Sequence, residues 1–137
     1  MITQDDIDAF ADGYAYWSEP PSSYPTPLEM TEHYQKTTEQ TPDPDLYSRL
    51  IREEFTEWVM SLNAEDLTEE LKELADLVYV VYGYANAKGW DLDEALYRVH
   101  SNNLGRMYQP DGSIKRREDG KIIKNKDYPA VDLSDLV

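Results

Sequence analysis

The feature that most constrains the fold is a long apolar segment over residues 66–88. Its apolar residues recur at the spacing of an α-helix, and from Leu77 to Tyr82 every position is apolar or aromatic. A helix that is apolar on all sides must be covered on all sides. In a chain of 137 residues this segment predicts either the centre of a helical bundle or an interface with another subunit.

Helix start and stop signals place further helices around this segment. Asp43 and Pro44 are typical of the N-cap and first position of a helix. Gly89 ends the apolar helix, Asp91 caps the next one, and Gly105 is predicted to end that one. The predicted helices span about 4–17, 27–40, 44–62, 66–88 and 92–104.

The C-terminal part is predicted to be irregular apart from a short hairpin. Pro110-Asp111-Gly112 and Glu118-Asp119-Gly120 are turn sequences, and Ile114 and Ile122-Ile123 flank the second turn. The predicted fold class is therefore all-α, an antiparallel bundle with a four-helix core followed by a short C-terminal loop or hairpin. Residues 1–27 are predicted to form a separate N-terminal helix and proline-rich connector.

The net charge limits the partners that the chain can have. It is −15 at pH 7, which argues against binding to a nucleic acid polymer or to a membrane surface. Phosphate ligands stay possible in principle because a divalent cation can mediate the contact. There is no cysteine, no signal-peptide pattern and no apolar stretch of about 20 residues, so a cytoplasmic location is predicted.

Two pairs of carboxylates carry the candidate chemistry. Glu54 and Glu57 are followed, after 15 intervening residues, by Glu73 and Asp76. The i, i+3 spacing puts each pair on one side of its helix, and a short loop makes the two helices antiparallel neighbours. Carboxylates that converge need a cation among them, and oxygen ligands favour Mg²⁺ or Mn²⁺. Glu-x-x-Glu pairs also arise by chance in a chain with 28 acidic residues.

The basic residues are concentrated after the predicted helices. Seven of the 13 Lys and Arg residues fall between Arg106 and Lys126. They are interpreted either as a solvated loop or as a flap that faces phosphate groups.

These motifs, in this order, resemble the MazG-like all-α nucleotide pyrophosphohydrolases. The resemblance rests first on Glu53-Glu54-x-x-Glu57 followed by Glu73-x-x-Asp76. It continues through the apolar segment Leu74–Gly83 and the asparagine segment His100–Arg106, and covers about residues 28–133. The C-terminal motifs that also match are Asp111-Gly112, Glu118–Lys121, Lys124 and Tyr128-Pro129. Arg106 departs from the pattern because a lysine is usual there.

The resemblance implies a MazG-like pyrophosphohydrolase domain over residues 28–137. It implies magnesium-dependent cleavage of a nucleoside triphosphate to the monophosphate and pyrophosphate, with Mn²⁺ able to substitute. By position, Glu54, Glu57, Glu73 and Asp76 hold the metal, and Glu53 is a candidate proton acceptor beside the catalytic Glu54 and Glu57. A homodimer or homotetramer is expected. The implied contacts to phosphate or ribose are Asn103, Arg106, Lys121, Lys124 and Tyr128.

Several alternatives stay open from the sequence. The same fold could act on dUTP or on phosphoribosyl-ATP. The role could be control of a nucleotide pool, including a viral one, with a purine deoxynucleotide such as dGTP as substrate. A non-enzymatic acidic helical module that binds a partner protein is the alternative of a different class. The aromatic residues of the N-terminal segment could pack a core or contact a base or a partner subunit: Tyr14, Tyr16, Trp17 and Tyr24.

Overall fold

The computed structural model describes residues 25–137, so the helix predicted near residues 4–17 and the four N-terminal aromatics lie outside the described part. Within 25–137 the helices are α1 (Pro27–Thr37), α2 (Pro44–Ser61), α3 (Leu67–Lys88) and α4 (Leu92–Arg106). The all-α fold class is confirmed. The chain divides into two compact units, one up to Asp91 and one from Leu92 to Val137. The domain boundary at residue 27 stays a prediction.

The helices begin and end where local chemistry favours it. The Asp43 side chain accepts a hydrogen bond from the Asp45 amide, and Pro44 opens α2, as predicted. The Asp66 side chain accepts from two amides of the first turn of α3. Gly89 ends α3 in the left-handed conformation, with φ of 71°. These caps fix the register at which α2 and α3 present their carboxylates.

Polar side chains hold α1 against α3 in the first unit. Gln35, which is 3% exposed, donates a hydrogen bond from Nε2 to the Gly83 carbonyl at 3.1 Å. Asn86 donates from Nδ2 to Thr31 Oγ1 at 2.6 Å. Buried polar groups of this kind specify one helix pairing because an unpaired buried donor or acceptor costs about 1–3 kcal/mol. These contacts therefore set the position of α1 along α3.

The packing of α2 on α3 depends on a glycine. A Cβ atom built on Gly83 would lie 2.2 Å from Cε1 of the Tyr47 ring, so the ring occupies the space that any side chain would need. Tyr47 is 5% exposed, and its hydroxyl donates to Gln40 Oε1 at 2.5 Å. The ring is therefore fixed at both ends, and it sets the separation of the two helices that carry the carboxylates.

One apolar surface of the first unit is exposed in the single chain. Seven of the nine large apolar residues of α2, α3 and the loop between them that are more than a third exposed in the single chain are Phe55, Val59, Leu62, Leu67, Leu71, Leu74 and Val78. The prediction for residues 77–82 was either a bundle centre or a subunit interface, and in the single chain Val78 is 45% and Tyr79 38% exposed. We call the seven residues the apolar surface. Within residues 25–137, no helix has the length and hydropathy of a membrane span.

The second unit consists of α4, a short hairpin and a C-terminal turn. Strand β1 (Lys115–Arg116) pairs antiparallel with β2 (Ile122–Ile123), and a 3₁₀ turn spans Ser134–Leu136. The predicted hairpin is therefore confirmed, one residue after Ile114. Gly112 and Gly120 adopt φ of 81° and 87° in the turns that were predicted at those positions.

Gly105 was predicted to end its helix, and this prediction is wrong. The helix α4 continues through it to Arg106. A Cβ on Gly105 would lie 2.3 Å from Cζ and Oη of Tyr128, so the glycine makes room for that ring. The Asn125 amide also donates to the Arg106 carbonyl at 2.8 Å. Glycine is therefore needed at position 105 because the Tyr128 ring packs against it within the second unit, and not because the helix ends there.

Candidate functional site

Three carboxylates from α2 and α3 meet in the first unit. One oxygen each of Glu54, Glu57 and Glu73 lies within 4.8 Å of the others. Glu54 and Glu57 share one side of α2, and the close packing of α2 on α3 brings Glu73 to them. Asp76 follows Glu73 by three residues, and its negative charge reaches Glu54. Three of the four carboxylates predicted to hold the metal are therefore brought together in this unit, and Asp76 is not among these three.

Two oxygens of this cluster are buried without compensation. Oε2 of Glu54 and Oε2 of Glu73 have no hydrogen-bond partner among the described residues. Glu73 is 5% exposed, whereas Glu57 is exposed to solvent. A buried polar atom without a partner costs about 1–3 kcal/mol, and more when it is charged. The cluster is thus closed on the side of the helix packing and open on the side of Glu57.

The burial of Glu54 and its position among the other carboxylates raise its pKa. Burial raises the pKa of Glu54, and the negative charges of Glu57, Asp76 and Glu73 raise it further. Each of these causes opposes ionisation of Glu54. A cation among the carboxylates would remove that opposition, because it stabilises the ionised form.

Lys72 and Glu69 form hydrogen bonds with Glu73 of the cluster, although neither was predicted from the sequence. Lys72 Nζ lies 3.0 Å from Glu73 Oε1 and 3.0 Å from Asp76 Oδ2. The hydrogen bond from Lys72 lowers the pKa of Glu73, and one from Glu69 adds to this effect. The hydrogen bond with Glu73 in turn raises the pKa of Glu69. The signal was available in the sequence, since Glu69 and Lys72 each precede a predicted ligand by four residues, which is one helical turn.

The donor set fits a hard divalent cation. The ligand atoms of the cluster are all carboxylate oxygens, which suit Mg²⁺, Ca²⁺ or Mn²⁺. Oxygens bound to one Mg²⁺ lie about 3–4 Å apart, so separations within 4.8 Å need only a small closing movement. The partnerless buried oxygens of Glu54 and Glu73 are the atoms that such an ion would satisfy. Glu54, Glu57 and Glu73 can therefore hold a divalent metal.

An open groove on α2 adjoins the cluster. It has a volume of about 420 Å³ and is lined by Arg52, Glu53, Thr56, Glu57 and Met60. Glu53, the predicted proton acceptor, is exposed and shares the groove with Glu57. Arg52 brings a positive charge to the same groove, and the sequence analysis did not single it out. The groove gives the open side of the cluster both an acid–base group and a cation.

The five predicted phosphate or ribose contacts all belong to the second unit. Asn103 and Arg106 lie on the last turn of α4, and Arg106 Nη1 donates to Asn102 Oδ1 at 3.4 Å. Arg106 Nε is buried without a hydrogen-bond partner among the described residues. Tyr128 packs on Gly105. Lys121 and Lys124 are exposed beside strand β2. Their roles in substrate binding stay predictions.

More than half of the chain matches the model of a known protein family. The model of the family described as phosphoribosyl-ATP pyrophosphohydrolase matches residues 24–103, which is more than half of the chain and includes all the carboxylates above. A search of curated proteins gives no match. This family lies within the MazG-like all-α superfamily, so the resemblance noted in the sequence is confirmed. The chain therefore belongs to the phosphoribosyl-ATP pyrophosphohydrolase family, and its function is of the nucleotide pyrophosphohydrolase type.

Proposed function

We propose that the chain is a Mg²⁺-dependent enzyme that cleaves a ribo- or deoxyribonucleoside triphosphate to the monophosphate and pyrophosphate. The observation that carries this proposal is the cluster of Glu54, Glu57 and Glu73 oxygens within 4.8 Å, with two buried oxygens that lack partners. Four negative side chains, counting Asp76, repel a bare triphosphate. The same charges attract a cation that neutralises the phosphates, and Mn²⁺ can replace Mg²⁺ in this role.

The reaction assigns a role to each side of the cluster. Bound Mg²⁺ supplies charge neutralisation and lowers the pKa of water. Glu54 and Glu73 anchor the site from its buried side, and Glu57 faces the open groove. In the proposed step, water adds to the α-phosphorus, the bond to the bridging oxygen of the β-phosphate breaks, and Glu53 accepts the proton. The oxygen from water then stays on the monophosphate, and pyrophosphate leaves.

Positive and polar groups contact the phosphates and the ribose in this proposal. Arg52 is the candidate within the groove of the first unit. The candidates from the second unit are Asn103, Arg106, Lys121, Lys124 and Tyr128. Arg106 brings a guanidinium with an unpartnered buried Nε, and guanidinium groups suit paired contacts with phosphate oxygens.

The substrate class has two candidates with support. The resemblance to MazG-like enzymes favours a nucleoside triphosphate, and a purine deoxynucleotide such as dGTP and a role in pool control are among the options that the screen below tests. The family match favours phosphoribosyl-ATP as the second candidate. Both substrates present a triphosphate on the 5′ carbon of a ribose or deoxyribose, so the carboxylate cluster suits either. Cytoplasmic location and the absence of nucleic acid polymer among the partners stay predictions.

A screen of pyrophosphate release tests the proposed function. The substrates are all NTPs, all dNTPs and phosphoribosyl-ATP, each with Mg²⁺, with Mn²⁺ and with EDTA. We expect metal-dependent release from one class, and ¹⁸O from labelled water in the monophosphate. Asp76→Asn is expected to lower turnover by about 10²–10³-fold, the range for loss of one preorganised electrostatic contact.

The matched control for the screen is Glu32→Gln, which removes an exposed carboxylate of α1 that pairs with Lys36. Its turnover should equal that of the wild type. Release that persists in EDTA, or an Asp76→Asn enzyme at full activity, would contradict the metal role. Label in pyrophosphate would place attack at the β-phosphorus instead.

The apolar surface supports a homodimer or homotetramer. Leu67 and Leu71 are 79% and 67% exposed, and they lie on the same side of α3 as Leu74 and Val78. Contiguous apolar patches of this kind on a small chain are typical of subunit interfaces.

We expect Leu71→Glu to shift the assembly to monomer in light scattering. A charge in the centre of an apolar interface is left without a partner. Val137→Glu adds the same charge to a residue that is 82% exposed at the end of the second unit, and it should leave the assembly unchanged. A wild-type chain that is monomeric at micromolar concentration would refute the interface.

A further inference from the structure

The ammonium group of Lys72 contacts the carboxylate cluster from its outer side. Its Nζ is 3.0 Å from Glu73 Oε1 and 3.0 Å from Asp76 Oδ2, so it bridges the two predicted ligands of α3. The Lys72 side chain is 57% exposed, while that of Glu73 is 7% exposed. A flexible cation at the surface therefore pairs with carboxylates of which one is almost fully buried.

This pairing neutralises only part of the cluster. Lys72 contacts one oxygen of each partner, whereas Oε2 of Glu73 and Oε2 of Glu54 are buried and have no hydrogen-bond partner within residues 25–137. Within residues 25–137, Lys72 forms ion pairs with Glu73 and Asp76 and not with Glu54 or Glu57. Lys72 therefore neutralises Glu73 and Asp76 in part. The buried oxygens of Glu54 and Glu73 could still be satisfied by a cation.

A divalent ion and Lys72 oppose each other in this arrangement. Both are attracted to Glu73 and Asp76, and like charges a few ångströms apart repel. An exposed lysine can withdraw into water at small cost because surface ion pairs are weak. An ion that enters the cluster would therefore be expected to displace Lys72 from at least one of its two partners.

We propose that Lys72 is a built-in counter-ion that competes with the divalent metal for Asp76 and Glu73. This inference rests on the proposed function, since it takes the cluster as a metal site. In the metal-free protein Lys72 limits repulsion between the ligands of α3. In exchange it weakens metal binding, so it raises the metal concentration at which the site fills.

Binding of Mn²⁺ alone, followed by the electron paramagnetic resonance signal of free Mn²⁺, tests the proposal without any nucleotide. We expect Lys72→Met to bind Mn²⁺ roughly 2- to 10-fold more tightly than the wild type, as the loss of one or two exposed ion pairs predicts. Its metal-free melting temperature should fall, and its metal-induced rise in melting temperature should be larger. Lys72→Arg keeps the charge and should bind close to the wild-type affinity.

The control is Lys36→Met, which removes an exposed pair between Lys36 and Glu32, also at 3.0 Å, on α1. It should leave the Mn²⁺ affinity unchanged. Lys72→Gln repeats the test with a polar side chain if the methionine variant does not fold. Equal or weaker binding in the folded variants overturns the competition and makes Lys72 a positioning or surface residue. A wild-type protein that binds no Mn²⁺ overturns the metal site itself, which is a different result.

Discussion

Replacing Glu54 with glutamine is expected to raise the melting temperature of the metal-free protein and to lower its metal-dependent activity. Glu54 has a buried oxygen without a hydrogen-bond partner in the described part of the chain, and burial together with three neighbouring carboxylates opposes its ionisation. Glutamine keeps the shape, carries no charge and can donate a hydrogen bond to a neighbouring carboxylate. Relief of about 1 kcal/mol corresponds to a rise of roughly 2–8 °C, measured by thermal melting in EDTA.

The activity of Glu54→Gln should fall, although its melting temperature in EDTA should rise. Loss of one charged ligand is expected to reduce pyrophosphate release by about 10²–10³-fold and to abolish the metal-induced rise in melting temperature. Glu118→Gln removes an exposed carboxylate of the second unit and should change neither quantity. A glutamine variant that melts lower than the wild type in EDTA would show that Glu54 is already compensated without metal.

The pH dependence of the same variant checks the sign of the Glu54 effect. Because its folded pKa is raised above the ordinary value of 4.5, Glu54 contributes stability that is fully present below that value. This contribution is lost as the pH rises through the raised folded pKa. The melting temperature of the metal-free wild type should therefore fall relative to Glu54→Gln as the pH rises from 4.5. Parallel curves for the two proteins would contradict the raised pKa.

Replacing Gly83 with alanine should destabilise the first unit more than the replacement of Gly89 with alanine does. The new Cβ would lie 2.2 Å from the Tyr47 ring, which its hydroxyl contact with Gln40 holds in place. Overpacking of this kind costs about 1–3 kcal/mol and sometimes more. Because α2 and α3 must separate to accept the methyl group, metal affinity should fall together with the denaturation midpoint in urea.

Two further variants separate packing from backbone effects. Tyr47→Leu combined with Gly83→Ala should recover part of the lost stability, since the smaller side chain leaves room for the methyl group. Gly89→Ala adds a methyl group where nothing lies within 4 Å, but φ there is 71°, so only the backbone preference of about 1 kcal/mol is lost. If Gly83→Ala is no worse than Gly89→Ala, the Tyr47 contact does not set the helix separation.

The parts of the fold that depend on local chemistry could be predicted from the sequence. Asp43-Pro44 and Gly89 fix helix ends through caps that need only neighbouring residues, and the structure has these ends where they were expected. The convergence of Glu54, Glu57 and Glu73 was also predictable, because i, i+3 spacing and a short connection determine it. The roles of these residues in metal binding stay predictions.

Features that depend on contacts between distant residues could not be predicted. Gly105 has the sequence appearance of a helix cap, yet its role is set by Tyr128, 23 residues later. The apolar stripe of α3 indicated a core face, but periodicity does not distinguish a face buried in the chain from one left for another subunit. Lys72 was overlooked because a lysine on an acidic helix is usually an ordinary surface residue.

The division of the molecule into two units has a consequence for how a substrate arrives. The second unit contains eight basic and eight acidic residues and is formally neutral, so the whole net charge of −15 falls on the first unit. A nucleotide without a metal carries several negative charges and is repelled by the unit that holds the carboxylates. Its diffusional encounter should become faster as the ionic strength rises, whereas most phosphate-binding proteins lose rate on addition of salt. A nucleotide that already carries Mg²⁺ has a smaller charge and meets less of this barrier, so the molecule discriminates between the two forms before either reaches the site.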